Sequence, residues 1–451
     1  MTLAFPSTGA PMLDGCKASG EYSHSAGRFL HADTIRRMVT GEGKRGRRPP
    51  AAIASSPPAR EPAAGTGAES AGTRRPKAGR ASPGEATAAR LRESRVCVCV
   101  GAGGVGKTTA AAALAVGMAM RGHKVAVVTI DPARRLAAAL GMRRLEGELV
   151  RIKPSAFEAQ RVSMPGEVWA MTLDVKRTFD EIVARLAPDE RTLKEILANP
   201  IYGELSSAVA GAQELSAVAK LYELSHEHDF DLIVLDTPPS RNALDFLEAP
   251  TRLLGFLEGR ALKVFLAPGG LAARLFGRPT AIVFAIFARV TGVDLLGDLS
   301  AFFRSLAGVI DGFGARTRRV AALLRDPATV FMITTSPESE PAREAAFLAR
   351  TLDARGMRRG GLIINRVHSY ALEGHSVERV RELLAPAAGE RLAARAAANL
   401  ADFDVLAERD RRAIARLQRE LHVAHPLLVP HLDHDVQDLA ALARFAGYLL
   451  S

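Results

Sequence analysis

The eight residues from Gly101 to Thr108, GAGGVGKT, match the pattern of a phosphate-binding loop. Glycine has no side chain to obstruct an anion, so backbone N–H groups of such a loop can converge on phosphate oxygens. An apolar, strand-like run precedes the segment and an Ala-rich, helix-like run follows it, so a helix N-terminus adds positive potential. The residues predicted to hold the phosphates are Gly103, Gly104, Val105, Gly106, Lys107, Thr108 and Thr109.

Within this loop, two side chains have specific chemistry. The Lys107 ammonium can neutralise β- and γ-phosphate oxygens of a nucleoside triphosphate, which also makes it a candidate catalytic residue. The Thr108 hydroxyl can ligate Mg²⁺. The segment therefore predicts a magnesium-dependent site for a nucleoside triphosphate.

Two aspartates end apolar runs further along the chain. Asp236 follows Leu232–Leu235 and is placed to hold Mg²⁺ through water, although an acidic residue at a strand end can also simply form a turn. The segment Thr237–Arg241 that follows contains two prolines and would lie at the carboxyl edge of a sheet, where ligands bind. Asp131 follows Val125–Ile130 and precedes a proline, and taken alone this Asp-Pro pair favours a turn initiator over a catalytic residue.

Alternating strands and helices would position these residues. Helical patterns separate most of the strand-like runs, which predicts an α/β fold with a doubly wound, mostly parallel sheet. Two long stretches, about 174–229 and 243–326, interrupt the alternation and are predicted to be helical insertions. The predicted strands are Val96–Val100, Val125–Ile130, Val168–Leu173, Leu232–Leu235, Val330–Thr334, Leu362–Val367 and Pro426–Val429.

The charge is unevenly distributed. Of a net +11, a net +8 lies in residues 1–95, which hold 16 basic and 8 acidic side chains. Residues 1–92 are rich in Pro, Gly, Ala, Ser and Arg without a sustained period, which predicts a disordered basic leader, and residues 93–451 are assigned to one ATPase-like domain. Because that domain is nearly neutral, no nucleic-acid partner is expected.

The insertion at 243–326 is unusually apolar. Helices packed on one another are the simpler explanation, and an apolar groove for a partner helix or a membrane surface is the alternative. Its most apolar stretch, Pro279 to Ala288, is about half as long as a membrane span requires. We expect a cytoplasmic protein that can also associate peripherally with a membrane.

Taken together, the motifs resemble the arsenite-pump and tail-anchored-protein-targeting ATPases, often called anion-transporting ATPases. The resemblance extends from Val96 to the C-terminus and includes four motifs in the family's order, with a fifth similarity in the C-terminal loop around Pro430. The four motifs are Gly101–Thr109, Thr129–Leu136, Asp236–Leu247 and the strand that ends at Asn365.

The resemblance implies a homodimer that hydrolyses ATP, with Asp131 positioning the attacking water and Asn365 bonding to adenine. Pro430 and Leu432 would lie in the adenine-side loop. The sequence Asn-Arg-Val-His at 365–368 is not the Asn-Lys-x-Asp guanine reader, so ATP is expected rather than GTP.

The chain departs from the family at two places. Ala102 stands where the family usually has a lysine that reaches across the dimer, and Arg134, Arg135 or Arg241 would have to supply that charge; an unchanged hydrolysis rate after alanine replacement of all three would exclude this hypothesis. Of the three cysteines, Cys97 and Cys99 fall in the first strand and Cys16 in the leader. No metalloid or interface zinc site is therefore expected, nor stimulation by arsenite.

The sequence leaves three functional readings open. The first is an ATPase switch that handles an apolar client helix or a membrane-protein partner. The second is a partitioning or positioning ATPase that acts on DNA or a membrane. The third is the ATPase subunit of an arsenite-type anion pump. The nearly neutral core and the long helical insertion favour the first reading.

Overall fold

The computed structural model describes residues 82–130, 135–142, 144–145, 147–199, 202–203, 212–237 and 314–451, with isolated positions at 248, 251–252, 255 and 312. Among them, residues 371–400 belong to one compact unit and the rest to a second, larger unit. In the smaller unit, a helix begins at Val377 because the Ser376 hydroxyl caps its first turn. The sheet and the candidate site lie in the larger unit.

The described strands form one eight-stranded sheet with the order β3-β4-β2-β5-β1-β6-β7-β8. All neighbouring strands are parallel except β3 and β4, which are antiparallel. The strands are β1 (Val96–Gly101), β2 (Lys124–Thr129), β3 (Val150–Arg151), β4 (Glu167–Thr172), β5 (Leu232–Asp236), β6 (Thr329–Thr335), β7 (Arg359–Val367) and β8 (Leu427–Pro430).

This sheet confirms the predicted α/β fold class with a mostly parallel sheet. Each of the seven predicted strands is present within a few residues of its expected bounds. The antiparallel edge strand β3 was missed because two exposed residues carry no apolar pattern. Near-continuous apolarity marks the other strands because helices cover the sheet on both faces.

Helices in chain order are α1 (Pro83–Arg92), α2 (Lys107–Ala119), α3 (Arg135–Ala139), α4 (Pro154–Glu158), α5 (Val175–Leu186), α6 (Glu190–Leu197), α7 (Ala212–Glu227), α8 (Ser339–Ala354), α9 (Val377–Ala388), α10 (Glu390–Leu421) and α11 (Leu439–Leu450). Two hydrophobic layers result. One packs α1, α2 and α11 against one face of the sheet, and the other packs α7, α8 and the end of α10 against the opposite face.

The side-chain alternation of β1 shows why both layers are needed. Cys97 and Cys99 point into the layer of α2, and Val96, Val98 and Val100 point into the other. All five side chains are buried. A strand that is apolar at every position is stable only between two covered faces.

The expected disorder of residues 1–92 is wrong for residues 83–92, which form α1. The Ser82 hydroxyl and the Glu85 carboxylate form a reciprocal capping box at its start. Ala88 and Leu91 are buried in the same layer as α2. The sequence pattern missed this helix because its burial depends on partners far along the chain.

The predicted helical insertions are only partly described. Where residues 174–229 are described, they form α5, α6 and α7. Most of 243–326 lies outside the described residues, apart from a helical segment at 314–323 and a few single positions. No helix in the described part of the chain is long and apolar enough to cross a membrane.

Candidate functional site

The loop between β1 and α2 has the backbone shape of an anion cradle. Gly104 and Gly106 have φ angles of 76° and 92°, in the left-handed region that favours glycine. A side chain at Gly101 would place Cβ 2.0 Å from the Thr334 carbonyl oxygen, so only glycine fits beside β6. Gly103 and Gly104 are exposed, whereas Val105 is buried and anchors the loop.

The N-terminus of α2 has no side-chain cap, because Gly106 stands at its N-cap position. Helices α5, α6, α9 and α11 are capped by Asp or Ser side chains that accept from first-turn amides. An α-helix leaves its first amides without intrahelical partners, and an anion is a natural acceptor for them. The start of α2, including Lys107, Thr108 and Thr109, is therefore suited to a phosphate group.

Lys107 is buried, and its ammonium donates to the Ala102 carbonyl oxygen at 2.7 Å. The lysine thus spans the loop from its last residues back to its first. This hydrogen bond holds the Lys107 ammonium at the loop, where it can contact a bound anion. Ala102, at the position where the family usually has lysine, is buried with 5% of its surface exposed.

Two hydroxyls converge on the Asp236 carboxylate. Thr108 and Thr129 each donate to Oδ2 of Asp236, at 2.7 and 2.9 Å. Strand register produces this cluster, because Asp236 lies opposite Cys99 of β1 and Thr129 of β2. Asp236 is fully buried.

This donor set fits Mg²⁺, which prefers carboxylate, hydroxyl and water oxygens. The Thr108 hydroxyl and the Asp236 carboxylate lie within hydrogen-bond distance of each other, so one small cation and its waters can be held by both. Thr129 was not predicted as a site residue. Its sequence signal is that it follows the four apolar residues Val125 to Val128 at the end of β2.

The two strand cysteines are packing residues. A hydrogen bond with the Cys97 side chain, together with burial, raises the pKa of the Cys99 thiol well above its usual range. Both thiols are free and buried. Cys99 also accepts, through its carbonyl oxygen, a 2.8 Å hydrogen bond from the Thr237 hydroxyl, which ties the segment after β5 to β1.

Asn365 lies at an irregularity near the end of β7. The pairing with β8 shifts register between Ile364 and Val367, and Arg366 has a φ of 60°. Such a bulge redirects a side chain. The Asn365 amide donates to the Val105 carbonyl oxygen at 2.9 Å, and its own oxygen accepts from the Arg366 N–H. In this structure the Asn365 side chain therefore stabilises the loop between β1 and α2 through a hydrogen bond to its backbone.

Pro430 and Leu432 lie at the end of β8 and just beyond it. The His431 N–H between them donates to the Val367 carbonyl oxygen at 2.9 Å, so this loop is fastened to the end of β7. Leu432 packs against the hydrophobic layer of α2. The structure thus brings the predicted adenine-side residues close to Asn365.

Sequence reasoning missed a pair next to these residues. The His368 backbone N–H and ring Nδ1 both contact Oδ2 of Asp410, at 3.0 and 2.8 Å. The His368 ring also stacks on His431, with 5.3 Å between centroids and 17° between planes. The only sequence signal was an acidic residue on the otherwise apolar face of α10.

Asp131, Arg134 and Arg241 lie outside the described residues, so their predicted roles stay predictions. Arg135 is the first residue of α3 and is exposed. Among the described residues, no group of three or more His, Cys, Asp or Glu side chains has the arrangement of a metal centre.

The chain is similar in sequence to a known protein family. Residues 94–375 match the family model described as anion-transporting ATPase. This range includes the phosphate loop, Asp236 and Asn365, and ends before α9.

Individual relatives are similar at moderate identity. An uncharacterized protein of Streptomyces coelicolor is 29% identical over 281 residues, covering 60% of this chain and 62% of that protein. A putative arsenical pump-driving ATPase of Aquifex aeolicus is 27% identical over 281 residues, covering 60% and 63%. The ATPase GET3 of Malassezia globosa is 28% identical over 155 residues, covering 34% and 42%. The chain therefore spans less than two thirds of the length of these relatives.

Proposed function

Because the chain belongs to the anion-transporting ATPase family, we propose that it binds Mg·ATP and hydrolyses it to ADP and phosphate. The observation that carries this proposal is the contact of Thr108 with Asp236 at 2.7 Å, directly beside Lys107. A hydroxyl, a buried carboxylate and a buried ammonium at the uncapped start of one helix are the groups that a metal-bound triphosphate requires.

The chain's own residues supply positioning and charge. Amides from Gly103 to Thr109 and the Lys107 ammonium bind the β- and γ-phosphate oxygens. Thr108 and Asp236 hold Mg²⁺, which when bound neutralises charge that develops on the phosphate oxygens. Asp131 orients a water for in-line attack on the γ-phosphorus. Catalysis of this kind depends on orientation and electrostatic stabilisation.

We further propose that the active form is a homodimer. Support comes from the family resemblance, in which nucleotides lie near the subunit interface. Since Ala102 cannot supply a charge across the dimer, another cation must do so, and Arg134, Arg135 and Arg241 are the candidates. A measurement of molecular mass in solution tests this proposal. The mass of a monomer both with and without Mg·ATP would exclude the dimer.

Coupling of hydrolysis to an apolar client helix or a membrane-protein partner is the proposed use of the ATPase cycle. It is supported by the apolar sequence of residues 243–326 and by the three helices α5, α6 and α7 that precede β5. The relative named a pump-driving ATPase supports a second candidate, an anion-pump subunit. Cys97 and Cys99 are buried in the sheet, which argues against activation of the ATPase by a metalloid that binds these thiols.

The test of the ATPase is hydrolysis and ATP binding by the purified full chain and by Lys107→Ala. We expect the variant to lose hydrolysis by at least about a hundredfold, because removal of one transition-state charge costs roughly 3 kcal/mol. Lys153→Ala, which removes an exposed lysine at the start of α4, is the matched control and should retain the original rate.

Asp131→Asn separates binding from chemistry. We expect the ATP dissociation constant to stay close to that of the original chain while turnover collapses. Unchanged turnover would remove Asp131 from the catalytic role, and unchanged hydrolysis in Lys107→Ala would reject the assigned site. Adding vesicles, an apolar helical peptide or arsenite to the same assay identifies the stimulus.

A further inference from the structure

The sheet order determines the direction in which a bound nucleotide must lie. On one side of β1 are β5 and β2, which supply Asp236 and Thr129 to the metal end of the site. On the other side are β6, β7 and β8. Because the γ-phosphate lies at the metal, the nucleoside must extend the opposite way, over the carboxyl ends of β7 and β8.

At those strand ends, Asn365 has only part of its bonding capacity left for a base. One amide N–H is given to Val105 and its oxygen accepts from Arg366. An amide side chain has two N–H donors and two acceptor lone pairs. Asn365 therefore retains both a donor and an acceptor site, so by itself it distinguishes bases poorly.

His368, by contrast, has a fixed pattern. Its ring is held by Asp410 through Nδ1 at 2.8 Å and rests against His431 and Phe403, whose ring centroids are 5.3 and 6.2 Å away. Asp410 is buried, and its other oxygen accepts from the Arg409 guanidinium at 3.0 Å. Among the described residues, Nε2 of His368 has no hydrogen-bond partner.

The state of Asp410 sets the tautomer of this ring. Burial alone would raise the pKa of Asp410, but hydrogen bonds from the His368 backbone and ring, and then from Arg409, hold that pKa below its usual range. An ionised carboxylate can only accept, so Nδ1 of His368 must carry the proton. In the tautomer with its proton on Nδ1, Nε2 is an acceptor.

We propose that His368, held in this tautomer by Asp410, is a specificity-determining residue that accepts a hydrogen bond from the 6-amino group of adenine. A base with a 6-oxo group would place its oxygen, an acceptor, against Nε2 of His368, also an acceptor, and would therefore bind less tightly. Asp410 is a positioning residue that acts through His368. The inference rests on the proposed function, since it assigns the base preference of the same nucleotide site.

The experiment compares binding of three triphosphates to the full chain: ATP, the 6-oxo analogue ITP, and the purine analogue with hydrogen at position 6. We expect ATP to bind at least about tenfold more tightly than ITP, because ATP gains the hydrogen bond to Nε2 and avoids the repulsion between Nε2 and the 6-oxo oxygen. The 6-hydrogen analogue should fall between them. In His368→Phe, which keeps the stacked ring, all three affinities should converge to within about twofold.

Asp410→Leu tests the positioning role. Oδ2 of Asp410 accepts from both the backbone N–H and the ring of His368, so without the carboxylate neither ring nitrogen is selected for the proton and the preference for ATP over ITP should shrink to about twofold or less. His425→Phe, an exposed histidine in the loop before β8, is the matched control and should retain the original ratio. If the role of His368 were purely structural, His368→Phe would weaken binding of all three triphosphates by the same factor.

The outcomes separate the two proposals. If the original chain binds ATP and ITP equally, or if His368→Phe retains the ATP preference, the specificity inference is overturned while the ATPase proposal stands. If no triphosphate binds, both are overturned. Far-UV circular dichroism and a melting curve for each variant verify that the compared proteins are folded.

Discussion

At the scale of single residues, the phosphate loop combines two kinds of glycine requirement. Gly104 and Gly106 both have positive φ, so any other residue costs about 1–2 kcal/mol of backbone strain. They differ in their surroundings. A Cβ at Gly106 would lie 2.4 Å from the Asn365 amide nitrogen, whereas a Cβ at Gly104 would have no neighbour within 4 Å.

This difference predicts unequal losses of stability. Gly106→Ala should lower the free energy of unfolding more than Gly104→Ala, by an additional 1 kcal/mol or so, because it displaces Asn365 from Val105 and breaks that hydrogen bond. The measurement is urea unfolding without nucleotide. In an Asn365→Ala background the additional loss should vanish, and a persistent difference would contradict the contact with Asn365 as its cause.

At the scale of elements, α2 serves the site because it is held rigidly between the sheet and α11. Its Ala-rich sequence lets the helix approach both, and every residue from Ala110 to Ala119 is buried. Gly117 marks the closest approach, since a Cβ there would lie 2.6 Å from Leu450 Cδ1 and 2.9 Å from Ala446 Cβ. Small side chains thus fix the position of Lys107 and Thr108 at the other end of the helix.

Alanine should therefore have different effects on stability at two helical glycines, Gly117 and Gly447. In Gly117→Ala, overpacking against α11 costs about 1–3 kcal/mol and exceeds the gain in helix propensity of roughly 1 kcal/mol. In Gly447→Ala the new methyl has only Ser451 at 4.0 Å, so the propensity gain remains. Thermal melting should show a lower Tm for the first variant and an unchanged or higher Tm for the second; stabilisation by both would exclude tight packing at Gly117.

At the scale of the whole described molecule, α1 completes the hydrophobic layer that holds α2 and α11. Leu91 is fully buried, and the Arg90 guanidinium donates to the Gly360 carbonyl oxygen of β7. Gly84 lies directly against Ser451 after α11. A segment that looks like part of a leader in the sequence is therefore an integral part of the fold.

Truncation tests this conclusion. A chain that begins at residue 82 should retain α1, whereas one that begins at residue 93 should lose it and expose apolar side chains of α11. We expect the shorter chain to be less stable in urea by at least about 2 kcal/mol, the value of one buried leucine. Equal unfolding midpoints would show that α1 contributes nothing to the core.

Features that depend only on neighbouring residues could be predicted from the amino-acid sequence. Glycine spacing predicted the loop from Gly101 to Thr108, and apolar runs predicted the strands and placed Asp236 at a strand end. These inferences succeed because backbone conformation and strand burial are coded within a few residues. The roles of Asp131 and of the predicted site residues in catalysis stay predictions.

Contacts between residues far apart in the chain became visible only in the folded structure. Sheet register brought Thr129 to Asp236, a bulge in β7 turned Asn365 onto Val105, and the packing of α10 placed Asp410 beneath His368. No local pattern encodes such pairs, because each depends on the order of strands in the sheet. The loop sequence predicts a phosphate site, and the strand register determines which distant side chains lie beside that loop.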